Sequence, residues 1–238
     1  MWAALHNAYE EDSSILNGKR LAELDETDIK ELFSADNDVE LPQLEDRRTI
    51  LNSIGEQLSE EYDGSFHKLV ERSDKRLYSD GNGLIDNITD FETYNDSVRV
   101  DGNEIDFYKR AQLAVWMPLG HLEVTGTENP LKVEDEENFE IAADYHFPNI
   151  FRHLGLHEYD EELVNDIEAG NELDGGGRRE AELRAAAVYH GRNLINELDS
   201  RTDEEVTAAG LDGALFTDYK EEAENDHEIH RVDHTIWY

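Results

Sequence analysis

Asp144 stands apart from the other acids of this chain. It lies in IAADYHF, with Ile141, Ala142, Ala143, Tyr145 and Phe147 around it. A carboxylate among apolar neighbours acts strongly on a nearby developing positive charge, because the local dielectric is low. The competing role is structural, an ion pair with Arg152 or His146. Pro148 is expected to open a helix that runs through Leu154 and ends at Gly155. That puts the N-cap near Phe147 and removes Asp144 as the capping side chain.

A second group is FYKRAQ, residues 107–112. Lys109 and Arg110 fall where a strand is expected to give way to a helix. A helix N-terminus and a lysine together suit a phosphate; the plainer reading is ion pairing with local acids. Among the histidines, His153 and His157 are four apart, but Gly155 interrupts the helix between them. His227, His230 and His234 cluster late in the chain. No HExxH or related pattern gathers them, so no metal is expected. GxSxG, GxxxxGKS and GxGxxG are absent. Gly175–Gly177 precedes a helix with no expected strand before it, which reads as a turn.

These residues sit in a chain of 238 residues with 58 acids, 21 Lys and Arg, and a formal charge of −37. The acids interrupt nearly every element. Such a surface suits high salt, where screening relieves self-repulsion, and it opposes binding to nucleic acid. Apolar residues make up 38% and fall in clusters, enough for a packed core in one domain. The absence of cysteine excludes disulfides and thiolate-ligated metals. No apolar run approaches the ~20 residues of a membrane span and no signal peptide is visible, so the expected location is cytoplasmic. If the halophilic reading holds, the melting temperature rises steeply between low and molar KCl, as the Debye length contracts from ~10 Å at 0.1 M to ~3 Å at 1 M. A flat response would remove that reading.

The pattern around the candidates is mainly helical. Helices are expected over residues 2–11, over ETDIKELF with Thr27 as N-cap, and from Pro42 through Leu44, Ile50, Leu51, Ile54 and Leu58. Another follows Gly64, and SDGNGLIDNITDF reads as a loop or short helix. Val98 and Val100 alternate, Asp101–Gly102 turns, and Ile105 and Phe107 alternate again, which predicts a hairpin running into a helix at about Tyr108. HLEVTGTENPLKVEDEENFE reads as a polar connection. DEELVNDIEAG, the long stretch after Gly177, and DEEVTAAGLDGALFTDYKEE supply further helices. The terminal HTIWY is expected to dock rather than fray.

Several stretches together resemble the queuosine salvage protein family, the queuosine 5′-phosphate N-glycosylase/hydrolases. They are FYKRAQ, ADYHFPNIFRHLGLHEY (143–159), REAELRAAAV (179–188), LDGALF (211–216) and TIWY (235–238), with ELPQLEDRRTILNSIGEQLSEEYDGSF and MWAALHNAYEE upstream. The family has arginine where His146 stands and glutamine where Asn149 stands, and the basic stretch around Val232–His234 differs. The resemblance implies a mainly helical, DNA-glycosylase-like domain with a small hairpin, spanning 1–238 as one unit that lacks the family's N-terminal segment.

It also implies hydrolysis of the bond between ribose and a 7-deazaguanine base, with Asp144 as the catalytic carboxylate. Lys109 would reach the 5′-phosphate, and Tyr145, Trp237 and Tyr238 would enclose the base. His146 and Asp212 would complete the substrate contacts, and Arg184 and Glu182 would pair structurally nearby. No cofactor is implied. The expected partner is a small-molecule nucleotide, with no direct nucleic acid and no membrane. A different expectation is a non-catalytic nucleotide- or base-binding relative. A third is a histidine/aspartate metallophosphohydrolase.

Overall fold

The computed structural model describes residues 2–34, 41–125, 131–203, 205–233 and 235. The chain forms two compact units. The first comprises Met1–Asp74 with Phe91–Thr93 and holds α1 (Trp2–Glu11), α2 (Gly18–Ala22), α3 (Glu26–Leu32), α4 (Leu44–Glu61) and α5 (Phe66–Arg72). Asp25, not Thr27, caps α3: its carboxylate accepts the Thr27 and Asp28 N–H groups, and Asp28 answers to the Asp25 N–H. The aspartate reaches two of the orphan donors of the first turn, which leaves Thr27 inside the helix.

Helix α4 starts at Leu44, with Gln43 at N-cap in a left-handed conformation (φ 58°), so Pro42 precedes the helix instead of opening it. Gly18 on α2 and Gly55 on α4 bring the two backbones together. A Cβ on Gly55 would meet the Ala22 nitrogen at 2.3 Å, closer than any side chain tolerates. Leu21, Leu24, Ile29 and Phe33 form the core here, with Leu44 and Leu51 of α4 packed on it.

The second unit comprises Lys75–Asp90 and Tyr94–Tyr238. It contains α6 (Leu84–Thr89), β1 (Ser97–Val100), β2 (Asn103–Asp106), α7 (Lys109–Thr125), α8 (His146–His153), α9 (Glu161–Glu168), β3 (Glu172–Leu173), α10 (Arg178–Asp199), α11 (Ala208–Asp226) and β4 (Arg231–Val232). The hairpin forms as the alternation predicts, with Ser97 opposite Asp106 and Val100 opposite Asn103. Asp101 and Gly102 both take positive φ, the geometry that a tight two-residue turn requires.

Helix α7 continues through Pro118 to Thr125, so part of the expected polar connection is helical. A two-residue parallel pairing of β3 with β4 leads into the glycine loop, where no strand was expected. It also ties the chain down at residues 231–233, since the Asp233 carboxylate accepts the Gly175 N–H at 2.9 Å. The rest of the terminal HTIWY, apart from Thr235, lies outside the described residues. Among the described residues no helix is long and apolar enough to cross a membrane.

The core of this unit gathers Ile141, Ala143, Phe147, Ile150 and Phe151 against Ala187 of α10 and Leu211, Leu215 and Ala223 of α11. Gly191 of α10 makes room for the extended segment before α8, because a Cβ there would lie 2.2 Å from Ile141 Cγ1. The fold thereby lays residues 139–145 across α10 and sets Asp144 at the start of α8.

Candidate active site

Helix α8 begins at His146, two residues ahead of Pro148. Proline is accommodated because the N–H groups of a first turn have no partner within the helix. The earlier start gives Asp144 a local role that the sequence pattern did not predict. Its Oδ1 accepts the His146 N–H at 2.8 Å, which fixes the carboxylate against the helix terminus. Its Oδ2 lies 3.1 Å from the Lys109 Nζ. Asp144 is 7% exposed. Neither Arg152 nor the His146 ring is its ionic partner: Arg152 sits over the Tyr159 ring, 4.8 Å from its centroid.

Lys109 is the first residue of α7, directly after the hairpin. Asp96 holds this junction. Its carbonyl accepts the Phe107 and Tyr108 N–H groups at 2.9 and 3.2 Å, and its Oδ2 accepts the Lys109 N–H at 3.3 Å. Tyr108 adopts φ 48° here, an uncommon left-handed conformation that turns the chain sharply into the helix. The neighbouring Arg110 goes elsewhere, over the Tyr94 ring at 5.0 Å.

Arg184 of α10 joins the Lys109 and Asp144 segments. Its Nε donates to the Ala143 carbonyl at 2.9 Å, one residue before Asp144, and its NH1 donates to Asp96 Oδ1 at 2.9 Å. The guanidinium lies 4.0 Å from the Phe107 ring centroid, and Glu180 approaches it at 3.3 Å. Arg184, Asp96 and Glu180 are all essentially inaccessible. The expected pairing of Arg184 with Glu182 does not form; Glu182 pairs with Arg178. Residues four apart share a helix face and residues two apart do not, so Glu180 was the partner to choose.

Asp212, on α11, accepts the Ala142 N–H on Oδ2 at 3.0 Å. Burial pushes its carboxyl up to about 6, and Asp144 adds to the rise, against the Ala142 hydrogen bond and Lys109. The Tyr145 and His146 rings lie 4.2 Å apart, and His146 meets Phe216 of α11 edge-on at 5.3 Å. Burial lowers the His146 pKa despite Asp144 and Glu224. Its Nδ1 stands 3.3 Å from Glu224 Oε1 but is not aligned for a hydrogen bond, so burial decides in favour of the neutral ring.

Asp144, Lys109, Tyr145, His146 and Asp212 therefore converge, held by α7, α8, α10 and α11. Trp237 and Tyr238 lie outside the described residues. Sequence reasoning missed two members. Asp96 carries no local signal that separates it from the other acids. His230 was grouped with histidines near the end of the chain, yet it is 3% exposed, and the titratable groups that act on it are Asp144, Arg184 and His146. Burial pulls its pKa down to about 4. Among the described residues no three His, Asp or Glu side chains gather as metal ligands.

The arrangement offers a buried carboxylate with both oxygens oriented, one cation on it, and a second carboxyl nearby. It suits stabilisation of positive charge at a carbon centre, followed by attack of water.

The profile of the family described as queuosine salvage protein matches residues 1–238. A protein of Bos taurus named queuosine 5′-phosphate N-glycosylase/hydrolase is 30% identical over 220 residues, covering 91% of this chain and 62% of the relative. The proteins of the same name from Mus musculus and Sphaerobacter thermophilus are 30% and 28% identical over 79% and 84% of this chain. The matched regions span 54% and 59% of those two proteins, so the chain corresponds to little more than half of each relative.

Proposed function

The chain belongs to the queuosine salvage protein family, and from that premise we propose that it hydrolyses the N-glycosidic bond of queuosine 5′-monophosphate or a related 7-deazaguanine nucleotide. The observation that carries the reading is the setting of Asp144. It is buried, its Oδ1 is fixed by a helix N–H, and its Oδ2 faces the Lys109 ammonium. Breaking a glycosidic bond builds oxocarbenium character at the ribose anomeric carbon. A preorganised carboxylate stabilises that charge or attacks the carbon, with no reorganisation at the moment of reaction. The relatives with which the chain aligns carry an enzyme's name, which favours this reading over a binding-only protein.

Lys109 is the proposed 5′-phosphate contact. Its ammonium is within reach of the same ligand that meets Asp144, and a point charge suits a phosphate. Tyr145 and His146 are the proposed contacts to the base. The single-domain organisation expected for 1–238 is part of the proposal, as is a cytoplasmic setting.

The experiment compares queuosine 5′-monophosphate with the free nucleoside in the wild type and in Lys109→Ala. The phosphorylated substrate is expected to lose roughly ten- to a hundredfold in kcat/KM, the equivalent of about 1.5–3 kcal/mol for a charge-assisted contact. The nucleoside loses much less. Equal losses on both substrates would return Lys109 to a purely structural partnership with Asp144.

A further inference from the structure

Asp144 and Asp212 act on each other electrostatically, and Lys109 acts on Asp212 against Asp144. The Lys109 ammonium lies 3.1 Å from Asp144 Oδ2. Among the described residues Asp212 has no ion-pair partner, and the one hydrogen bond to its carboxyl is the Ala142 N–H on Oδ2. Two carboxyls with unequal compensation divide the available proton unequally. We propose that Asp212 is the general acid of the reaction and delivers the proton that the departing base takes up. The inference rests on the glycosidase reading above.

The leaving group gives the proton a purpose. A 7-deazaguanine has carbon where a purine has N7, so the usual activation by protonating N7 is closed, and the acid must act at a remaining nitrogen. In the step proposed, the C1′–N9 bond breaks and its electron pair goes to N9. The Asp212 proton joins that nitrogen, and the base leaves neutral. Asp144 stabilises the ribosyl centre. Water then adds its oxygen to C1′ and gives one proton to the Asp212 carboxylate, which restores the acid. The sum is one water consumed, with free base and ribose 5-phosphate formed.

The electrostatics agree with this assignment. Burial and the Asp144 carboxylate raise the Asp212 pKa to about 6, against Lys109 and the Ala142 N–H. On α11 the positions one turn away are Ala208, Ala209, Leu215 and Phe216, so the adjacent turns of its helix carry no charge. The charged groups that act on Asp212 are Asp144 of the segment before α8 and Lys109 of α7; Glu224, farther along α11, stands against His146 of α8.

The test is Asp212→Asn, whose amide oxygen still accepts the Ala142 N–H. It is assayed on queuosine 5′-monophosphate and on a 4-nitrophenyl riboside 5-phosphate, whose leaving group departs without a proton. The expected loss is about 10²-fold or more on the nucleotide, the scale of general acid catalysis, and at least tenfold smaller on the activated substrate. Wild-type kcat/KM for the nucleotide falls above pH about 6, whereas the activated substrate shows no such limb. Equal losses on both, or none on either, would overturn the assignment while leaving the glycosidase reading intact. A wild type inactive on both substrates would count against that reading instead. Independently of turnover, infrared titration should show a protonated carboxyl band, absent from Asp212→Asn, that disappears near pH 6. A carboxyl that titrates at the ordinary value of about 4 overturns the inference by itself.

Discussion

Asp144→Asn is expected to reduce turnover by about 10²-fold or more with the fold retained. Asn is nearly the same shape, and its amide oxygen still accepts the His146 N–H that Asp144 Oδ1 now accepts at 2.8 Å. What disappears is the negative charge, and one preorganised electrostatic group accounts for a loss of this size. The partner left behind is Lys109. A long side chain can move its ammonium toward water, so the stability loss should stay near that of one charged hydrogen bond, about 1.5–3 kcal/mol. Melting and turnover measured on the same preparation separate the roles. A stable Asn variant with near-normal turnover contradicts the catalytic assignment.

Arg184→Met is expected to have the largest effect on stability. It leaves Asp96 and Glu180, 0% and 1% exposed, without their cation. Breaking a buried ionic group by removing one partner costs about 3–5 kcal/mol, because the remaining charges stay desolvated. The same change frees the Ala143 carbonyl from the Arg184 Nε, so the Asp144 segment loses one of its ties to α10. Denaturant unfolding in molar KCl measures the loss. Adding Asp96→Asn and Glu180→Gln should restore much of the stability, since no buried charge then lacks a partner. A single variant within about 1 kcal/mol of wild type would show that the cluster does not hold the two segments together.

The local features of this site were legible in the sequence, and the long-range ones were not. Alternation at Val98, Val100, Ile105 and Phe107 gave the hairpin, and the junction after it gave Lys109. The apolar neighbours of Asp144 marked it as buried. Its capping of the His146 N–H was not legible, because Pro148 was assigned to the first helical position and sits at the third. The extent of α7 was missed because His121–Thr125 were read with the polar connection, whereas they continue the helix to Thr125.

Asp96 is the clearest case of the long-range kind. One of 58 acids in the chain, it becomes distinctive only when Arg184, 88 residues away, closes on it. Asp212 was placed by resemblance, but its difference from Asp144 follows from which carboxyl Lys109 reaches. That depends on tertiary packing and not on spacing along the chain.

The central claim is that this chain breaks a glycosidic bond at the site built around Asp144. The most direct measurement is product analysis after incubating the 238-residue chain with queuosine 5′-monophosphate in molar KCl, with Asp144→Asn run in parallel. The account predicts free base and ribose 5-phosphate in equal amounts from the wild type, and at most about a hundredth of that rate from the variant. Intact nucleotide after prolonged incubation with a folded wild type, or equal product from both proteins, would contradict it.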